Sequence, residues 1–83
     1  MSFGEAFGRL IRKKRGIEGL TQQELAVTAF GDENYKSRIS ELENGRVSNP
    51  QAKTIDALIV ALYISEDEIS QISDYHAVSY THS

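Results

Sequence analysis

The sequence lacks cysteine altogether and contains a single proline in 83 residues. Without cysteine there can be no disulfide and no thiolate metal site, so stability must come from the packing of one small core. No apolar run is long enough for a transmembrane helix, and the N-terminus lacks the apolar stretch of a signal peptide. We therefore expect one soluble, cytoplasmic domain.

Positive charge is missing from the C-terminal part of the chain. Residues 1–53 carry all nine Lys and Arg residues and seven acidic residues, whereas residues 54–83 carry five acidic residues and no Lys or Arg. The net charge of −3 argues against a nucleic-acid partner at first sight. The asymmetry, however, indicates one face for an anionic partner and an acidic end directed away from it, with a solvated mixture of surface charges as the alternative.

Residue patterns for catalysis or metal binding are also scarce. His76 and His82 lie six residues apart near the C-terminus, without an acidic cluster in helical register beside them. The sequence contains no Gly-x-Ser-x-Gly elbow and no glycine loop of the phosphate-cradling type. An enzyme of this length would also need a cleft that so small a core can scarcely enclose. We therefore predict no catalytic residues, no metal site and no cofactor.

The most informative stretch runs from residue 34 to residue 50. Ile39 and Leu42 would share one face of a helix over residues 33–43, which leaves a polar face pointing outward. Asn44-Gly45 would end this helix, because glycine tolerates the left-handed conformation of a C-terminal cap. Such a short helix could insert into a groove, or it could simply connect two others.

Four further helices are indicated by apolar periodicity and by capping patterns. Thr21 with Glu24, and Ser65 with Glu68, have the spacing of capping boxes. Asn49-Pro50 would start a helix with proline at its first position. The predicted ranges are residues 3–15, 22–29, 50–62 and 66–72, followed by a tail over residues 73–83 that we expect to fray, with a short strand or clasp around Tyr75, Val78 and Tyr80 as the alternative.

A basic run occupies the end of the first predicted helix. Arg9, Arg12, Lys13, Lys14 and Arg15 are clustered there. Cations in the last turns of a helix complement its dipole, which is one explanation of the run. Contact with phosphates is the other. The start of the second helix, with Thr21 and Gln22, would offer free backbone N–H groups to a phosphate as well.

Several segments together resemble the helix-turn-helix domain of the Cro and phage-repressor type, also called the xenobiotic-response-element family. The resemblance covers residues 3–72 and depends on the order of five motifs, none of which is specific alone. It implies an all-α, lambda-repressor-like bundle of five helices in residues 1–72, followed by the tail. The motifs are Leu20-Thr-Gln-Gln-Glu-Leu-Ala26, Ile39-Ser-Glu-Leu-Glu-Asn-Gly45, Asn49-Pro50, Thr54-Ile-Asp-Ala-Leu58 and Ala61-Leu62.

The resemblance also implies roles for individual residues. In this family the second helix of the unit lies in the major groove with its N-terminal residues at base edges. The positions that match base-reading sites are Tyr35, Lys36, Ser37, Ser40 and Glu41. Contacts to the sugar-phosphate backbone fix register without reading sequence. The positions that match such contacts are Thr21, Gln22, Arg38, Asn44, Arg46 and Asn49.

A structural ion pair is also implied by the resemblance, between Arg12 late in the first helix and Glu43 before Asn44-Gly45. The remaining cations of the basic run, Arg9, Lys13, Lys14 and Arg15, would then be candidates for phosphate contact. Two connections are longer than in the family pattern: residues 16–19, and residues 30–36 before the reading helix. The second insertion predicts either an extra turn at the start of that helix, with Asn34 and Tyr35 nearer the bases, or a loop.

These inferences together predict a sequence-specific, DNA-binding transcriptional regulator of the repressor type. It would act on double-stranded DNA as a homodimer, with the region from Leu62 to Ile72 as the expected interface. A protein-interaction adaptor or antitoxin-like domain, binding a partner through the acidic C-terminal third, is the main alternative. A DNA-binding piece of a longer protein is the third.

Overall fold

Five α-helices and one 3-10 turn make up the computed structural model of the chain, which describes residues 2–76, with side chains for residues 2–72. No strand occurs in this described part, so the predicted all-α, five-helix architecture is confirmed. None of its helices combines the length and the apolar character needed to cross a bilayer. The elements are α1 (Phe3–Glu18), α2 (Gln22–Phe30), the 3-10 turn (Glu33–Tyr35), α3 (Lys36–Glu43), α4 (Ala52–Leu62) and α5 (Glu66–His76).

One apolar core is formed by buried residues of α1, α2, α3 and α4, together with Ile64 in the connection between α4 and α5. The predicted stripes of α1, α3 and α4 all face this core, because their apolar residues recur at helical spacing. Phe3 stacks on Phe7 with the ring centroids 5.6 Å apart. The largest fully buried side chains are Phe7, Ile11, Leu25, Ile39, Leu58 and Leu62.

Both predicted capping boxes are confirmed. The backbone N–H of Glu24 donates to Thr21 Oγ1 at 3.0 Å, and the N–H of Thr21 donates to Glu24 Oε1 at 2.8 Å. Ser65 and Glu68 form the same reciprocal pair at the start of α5, at 2.9 and 3.1 Å. A third box, not predicted, opens α1, although its signal, Ser2 followed three residues later by Glu5, is present in the sequence.

Two predicted boundaries were wrong, the end of α1 and the start of α4. α1 continues through Gly16 to Glu18 and is closed by Gly19, so the connection predicted over residues 16–19 belongs to the helix and its C-cap. α4 begins at Ala52, since Gln51 is its N-cap and Pro50 lies buried before it.

The fifth helix extends to His76, beyond the predicted end at residue 72. Most of the predicted tail, residues 77–83, lies outside the described residues, as do the side chains from residue 73 onward. The alternatives of a frayed tail, a strand or a clasp, and the side chains of His76 and His82, therefore lie outside it too.

Two glycines bring α1 into direct backbone contact with the end of α3 and the segment after it. The N–H of Gly4 donates to the carbonyl of Ser48 at 3.0 Å. A Cβ atom at Gly4 would lie 1.8 Å from the Val47 carbonyl oxygen, and a Cβ atom at Gly8 would lie 1.8 Å from the Leu42 carbonyl oxygen. No side chain fits at either position, so these glycines fix how closely α3 approaches α1.

Candidate nucleic-acid interface

α3 separates an apolar face from a polar one. Ile39 and Leu42 are fully or almost fully buried, at 0% and 2% exposure. The outward face consists of polar side chains because those residues fall at the other angular positions of the helix. Lys36, Ser37, Arg38 and Glu41 are exposed, and Ser40 is half-buried. Four of the five predicted base-reading residues thus lie on α3 at positions that solvent reaches.

The insertion before α3 forms a helical turn that leads directly into the helix. Asp32 caps this turn, as its carboxylate accepts from the N–H of Asn34 at 2.9 Å. The Tyr35 ring stacks on Phe30, with centroids 4.4 Å apart and planes inclined by 13°. Of the two predicted alternatives, the extra turn describes the structure better than a loop. Tyr35 is half-buried by this stacking, whereas Asn34 is exposed.

The other end of α3 is closed by a Schellman motif. Gly45 adopts φ +74°, and its N–H donates to the Leu42 carbonyl at 3.1 Å. The N–H of Arg46 donates to the Glu41 carbonyl at 2.9 Å, so two carbonyls at the helix end are satisfied. This motif turns the chain away and leaves Arg46, Ser48 and Asn49 exposed directly after α3.

The predicted ion pair has a different cation. Arg15 Nε donates to Glu43 Oε2 at 2.7 Å and Arg15 Nη2 donates to Glu43 Oε1 at 2.9 Å, whereas Arg12 is exposed. The assignment of Arg12 was therefore wrong. The cause lies in the length of α1, because the extended helix keeps Arg15 on its last turns, where its guanidinium also reaches the Leu20 carbonyl at 2.9 Å.

Glu43 also holds Gln22, at the start of α2. The Gln22 amide donates to Glu43 Oε1 at 3.0 Å, so one carboxylate connects α1, α2 and the end of α3. The hydrogen bonds that Arg15 donates to Glu43 raise the pKa of the Arg15 guanidinium. Thr21 and Gln22, at the start of α2, are the two residues there that were predicted to contact the DNA backbone. Gln22 uses one amide N–H in its bond to Glu43, so its other amide N–H and its side-chain carbonyl are not used in that bond. The Thr21 hydroxyl is engaged in the capping box.

The basic run of α1 is divided by the fold. Lys14 Nζ lies 3.4 Å from Glu68 on α5, and Arg15 is held by Glu43. Neither is therefore available as the phosphate contact that was predicted for it. Arg9, Arg12 and Lys13 are exposed, and none of them has an ion-pair partner among residues 2–72.

A groove of about 470 Å³ lies between α3 and the start of α4. Two cations, Arg38 and Lys53, contribute to its lining, and no carboxylate does. Sequence reasoning missed Lys53, since only the fold shows that the first turn of α4 approaches α3. The lining residues are Tyr35, Arg38, Leu42, Val47, Asn49, Pro50, Gln51, Lys53 and Thr54.

Exposed cations thus accompany the polar face of α3 on both sides. Lys36 and Arg38 lie on the helix itself, Arg46 follows it, and Lys53 faces it across the groove. None of these four forms an ion pair within residues 2–72. Glu41 is the one exposed carboxylate on α3. The surface carries the unpaired positive charge that phosphate groups attract, beside amide and hydroxyl groups that can donate and accept.

Comparisons of this chain with protein-family models, with curated proteins and with solved structures found no match.

Proposed function

We propose that the chain is a sequence-specific DNA-binding protein that regulates transcription, with α2 and α3 as its helix-turn-helix unit. The observation that carries the proposal is the exposed polar face of α3 with Lys36 and Arg38 on it and Arg46 directly after it. An α-helix fits the major groove, where side chains can reach base edges. The proposed partner is double-stranded DNA, met in the cytoplasm at the nucleoid.

The proposed base readers are Lys36, Ser37, Ser40 and Glu41, with a lesser role for Tyr35 because its ring is stacked on Phe30. Lysine donates to guanine O6 and N7, serine is permissive, and a glutamate accepts from cytosine N4. Backbone contacts are proposed for a second set of side chains around the helix. These are Thr21, Gln22, Arg38, Asn44, Arg46 and Asn49.

The rigidity of the unit supports this assignment. Glu43 ties Gln22 to the last turn of α3, so a phosphate contact at α2 and base contacts at α3 would keep a fixed spacing. Phosphate contacts that fix the register are what allows a few side chains on one short helix to read sequence. We further propose a homodimer that acts as a repressor, with half-sites roughly 34–36 Å apart, because one short helix provides few contacts.

The test is selection of bound duplexes from a randomised DNA pool at near-physiological salt, read by sequencing. We expect an enriched inverted repeat. Lys36→Ala should relax the preference at one base position by about 1–3 kcal/mol and leave the other positions unchanged. Lys13→Ala is the matched control, because Lys13 is an exposed lysine on α1 and not among the proposed base readers, so it should not alter the preferred sequence. No enrichment by folded protein would refute the proposal.

A further inference from the structure

Two large apolar side chains, one on α4 and one directly after it, are exposed among residues 2–72. Val60 is 75% exposed and Tyr63 is 77% exposed, the highest values among the large apolar side chains of the described residues. Asp56 and Val60 are four residues apart and share one side of α4, and Tyr63 is the residue that closes the helix, with φ +55°. Single exposed apolar residues are normal on a protein surface. Here, however, Val60 and Tyr63 are next in the chain to Ile59 and Ile64, which line a groove.

The groove lies between α4 and the start of α5 and has a volume of about 340 Å³. Three isoleucines form its apolar part: Ile59 and Ile69 are half-buried, and Ile64 is 7% exposed. Glu66 and two serines complete the lining. The groove and the exposed side of α4 together are called the acidic-apolar face below. Its residues are Asp56, Ile59, Val60, Tyr63, Ile64, Glu66, Asp67 and Ile69.

The charge of this face is mainly negative, although Lys53, one helical turn before Asp56, is exposed on the same side of α4 and lines the groove beside α3. Asp56, Glu66 and Asp67 are exposed and form no ion pair within residues 2–72. The chain has no Lys or Arg after Lys53. Lys14 does reach α5 from α1, but it lies beside Glu68, at 3.4 Å, and does not neutralise the other three carboxylates.

This combination restricts what can bind. DNA and anionic lipid surfaces would be repelled by the carboxylates. A second copy placed on the same face by a two-fold axis would bring the two sets of carboxylates together, because such an interface uses the same patch twice. The proposed homodimer would therefore use a surface other than the Leu62–Ile72 region expected from the sequence. A segment with apolar anchors and flanking cations would instead bury Val60 and Tyr63 and meet the carboxylates with opposite charge.

We propose that the acidic-apolar face is a docking site for a different protein, through a segment in which apolar residues are flanked by lysine or arginine. The site goes beyond DNA binding and does not depend on it, since none of its residues is a proposed DNA contact or lines the groove beside α3. A regulator with this face would engage DNA and a cationic partner at the same time, on separate surfaces.

The experiment is a selection of random peptides, displayed as a large library, against the full folded chain. We expect enrichment of peptides with apolar residues at i and i+3 or i+4 and with Lys or Arg beside them. The binding site of an enriched synthetic peptide is then mapped by amide chemical shifts. These should change around Val60, Tyr63 and Ile69 and remain constant in α3.

Charge variants separate specific docking from general attraction of a cationic peptide to an acidic protein. Asp56→Asn with Glu66→Gln removes two charges from the face and should weaken binding by about fivefold. Glu18→Gln with Glu33→Gln removes the same charge from other exposed positions and should change binding by less than about twofold. Val60→Ser should weaken binding by about fivefold through the loss of apolar contact.

Each other result would overturn the proposal. Enriched peptides that are acidic or uncharged would exclude a cationic partner. Equal loss of affinity in the two charge variants would mean non-specific attraction. Concentration-dependent shifts of Val60 and Tyr63 without any peptide would assign the face to a second copy of the chain. DNA binding, measured on the same variants, should stay within about twofold of the unchanged chain, so failure here is distinguishable from failure of the DNA proposal.

Discussion

Glu43 has a side chain that is 2% exposed, and it is the one buried charged residue among the described residues. A carboxylate loses its hydration on burial, so it must receive hydrogen bonds and a compensating charge. Arg15 supplies the compensating charge and two hydrogen bonds in a bidentate ion pair, and the Gln22 amide donates a third hydrogen bond. Because these donors come from α1 and α2, the residue before Asn44 fixes α3 relative to both helices.

Arg15→Met should therefore destabilise the fold. It leaves the buried Glu43 carboxylate with Gln22 as its remaining side-chain donor, at an expected loss of about 3 kcal/mol in the free energy of unfolding in urea. Arg12→Met is the control, because Arg12 is exposed on the same helix and should change stability by no more than about 0.5 kcal/mol. Arg15→Met combined with Glu43→Leu should recover much of the loss, since no buried charge remains. Equal stability of the two single variants would contradict the buried pair.

Gly8 provides a second residue-scale test, because its missing side chain lets α1 approach the backbone of α3. A Cβ atom at Gly8 would lie 1.8 Å from the carbonyl oxygen of Leu42. The same oxygen accepts the hydrogen bond from the Gly45 N–H that closes α3. Gly8→Ala should lower the free energy of unfolding by about 3 kcal/mol through overpacking. Gly16→Ala, in the same helix with open space around its Cβ position, should raise it by about 0.5–1 kcal/mol. Both are measured by urea denaturation, and a stabilised Gly8→Ala variant would exclude the close contact.

At the scale of the elements, three of the five helices begin with a reciprocal capping box. Each box satisfies backbone N–H groups that have no partner within the helix, so the start of each helix is fixed locally. In two of these boxes the glutamate has a lowered pKa. The bond from the Ser2 backbone N–H is the main cause for Glu5, and the bond from the Ser65 backbone N–H is the main cause for Glu68.

These lowered pKa values predict how stability depends on acid. A carboxyl with a lower pKa in the folded state contributes stability above its ordinary pKa, and this contribution is lost as pH falls through the lowered value. Glu68→Gln should therefore flatten the decline of unfolding free energy in acid, because glutamine can still cap but does not titrate in this range. The free energy of unfolding of both chains is measured by urea denaturation at pH values from about 7 down to about 3.

Lys14→Met is the control for this effect. It removes the cation beside Glu68 but keeps the bond from Ser65, which is the larger cause of the lowered pKa of Glu68. Most of the acid dependence should therefore persist in Lys14→Met. If Lys14→Met flattened the pH profile as much as Glu68→Gln, the ion pair rather than the helix cap would be responsible.

At the scale of the whole molecule, charge is separated between the α3 region and the α4–α5 end. Exposed cations surround α3, whereas Asp56, Glu66 and Asp67 are exposed on the acidic-apolar face. Three exposed carboxylates, Asp32, Glu33 and Glu41, lie on or before α3, so this region has a small positive excess within a chain of net charge −3. Such a separation orients a molecule toward an anionic partner, since attraction at one end is accompanied by repulsion at the other.

DNA affinity should consequently fall steeply with salt. Each neutralised phosphate contributes about 0.9 to the slope of log affinity against log salt concentration, so Arg46→Ala should reduce the slope by about 1. Asp56→Asn, at the acidic end, should leave the slope unchanged. Titrations of a selected duplex at several salt concentrations give these slopes. A slope that is insensitive to Arg46→Ala would remove this residue from the proposed backbone contacts.

Most of the fold was predictable because its signals are local. The stripe of Phe7 and Ile11, the boxes at Thr21 and Ser65, and the glycine cap at Gly45 each depend on residues a few positions apart. The polar face of α3 followed from the same periodicity. Less local features were predicted poorly. The extension of α1 past Gly16 and the position of Pro50 before α4 depend on contacts with other elements, which no sequence window contains.

The sequence by itself determined the all-helical architecture, the polar face of α3 and the separation of charge along the chain, since periodicity, caps and composition are properties of neighbouring residues. The tertiary structure alone decided that Arg15 rather than Arg12 holds Glu43, that Lys14 is paired with Glu68, and that Lys53 faces α3. The physical reason is that an ion pair depends on distances between side chains of separate helices. Arg12 and Arg15 are three positions apart and share one side of the helix, so their spacing in the sequence does not show which of them reaches Glu43.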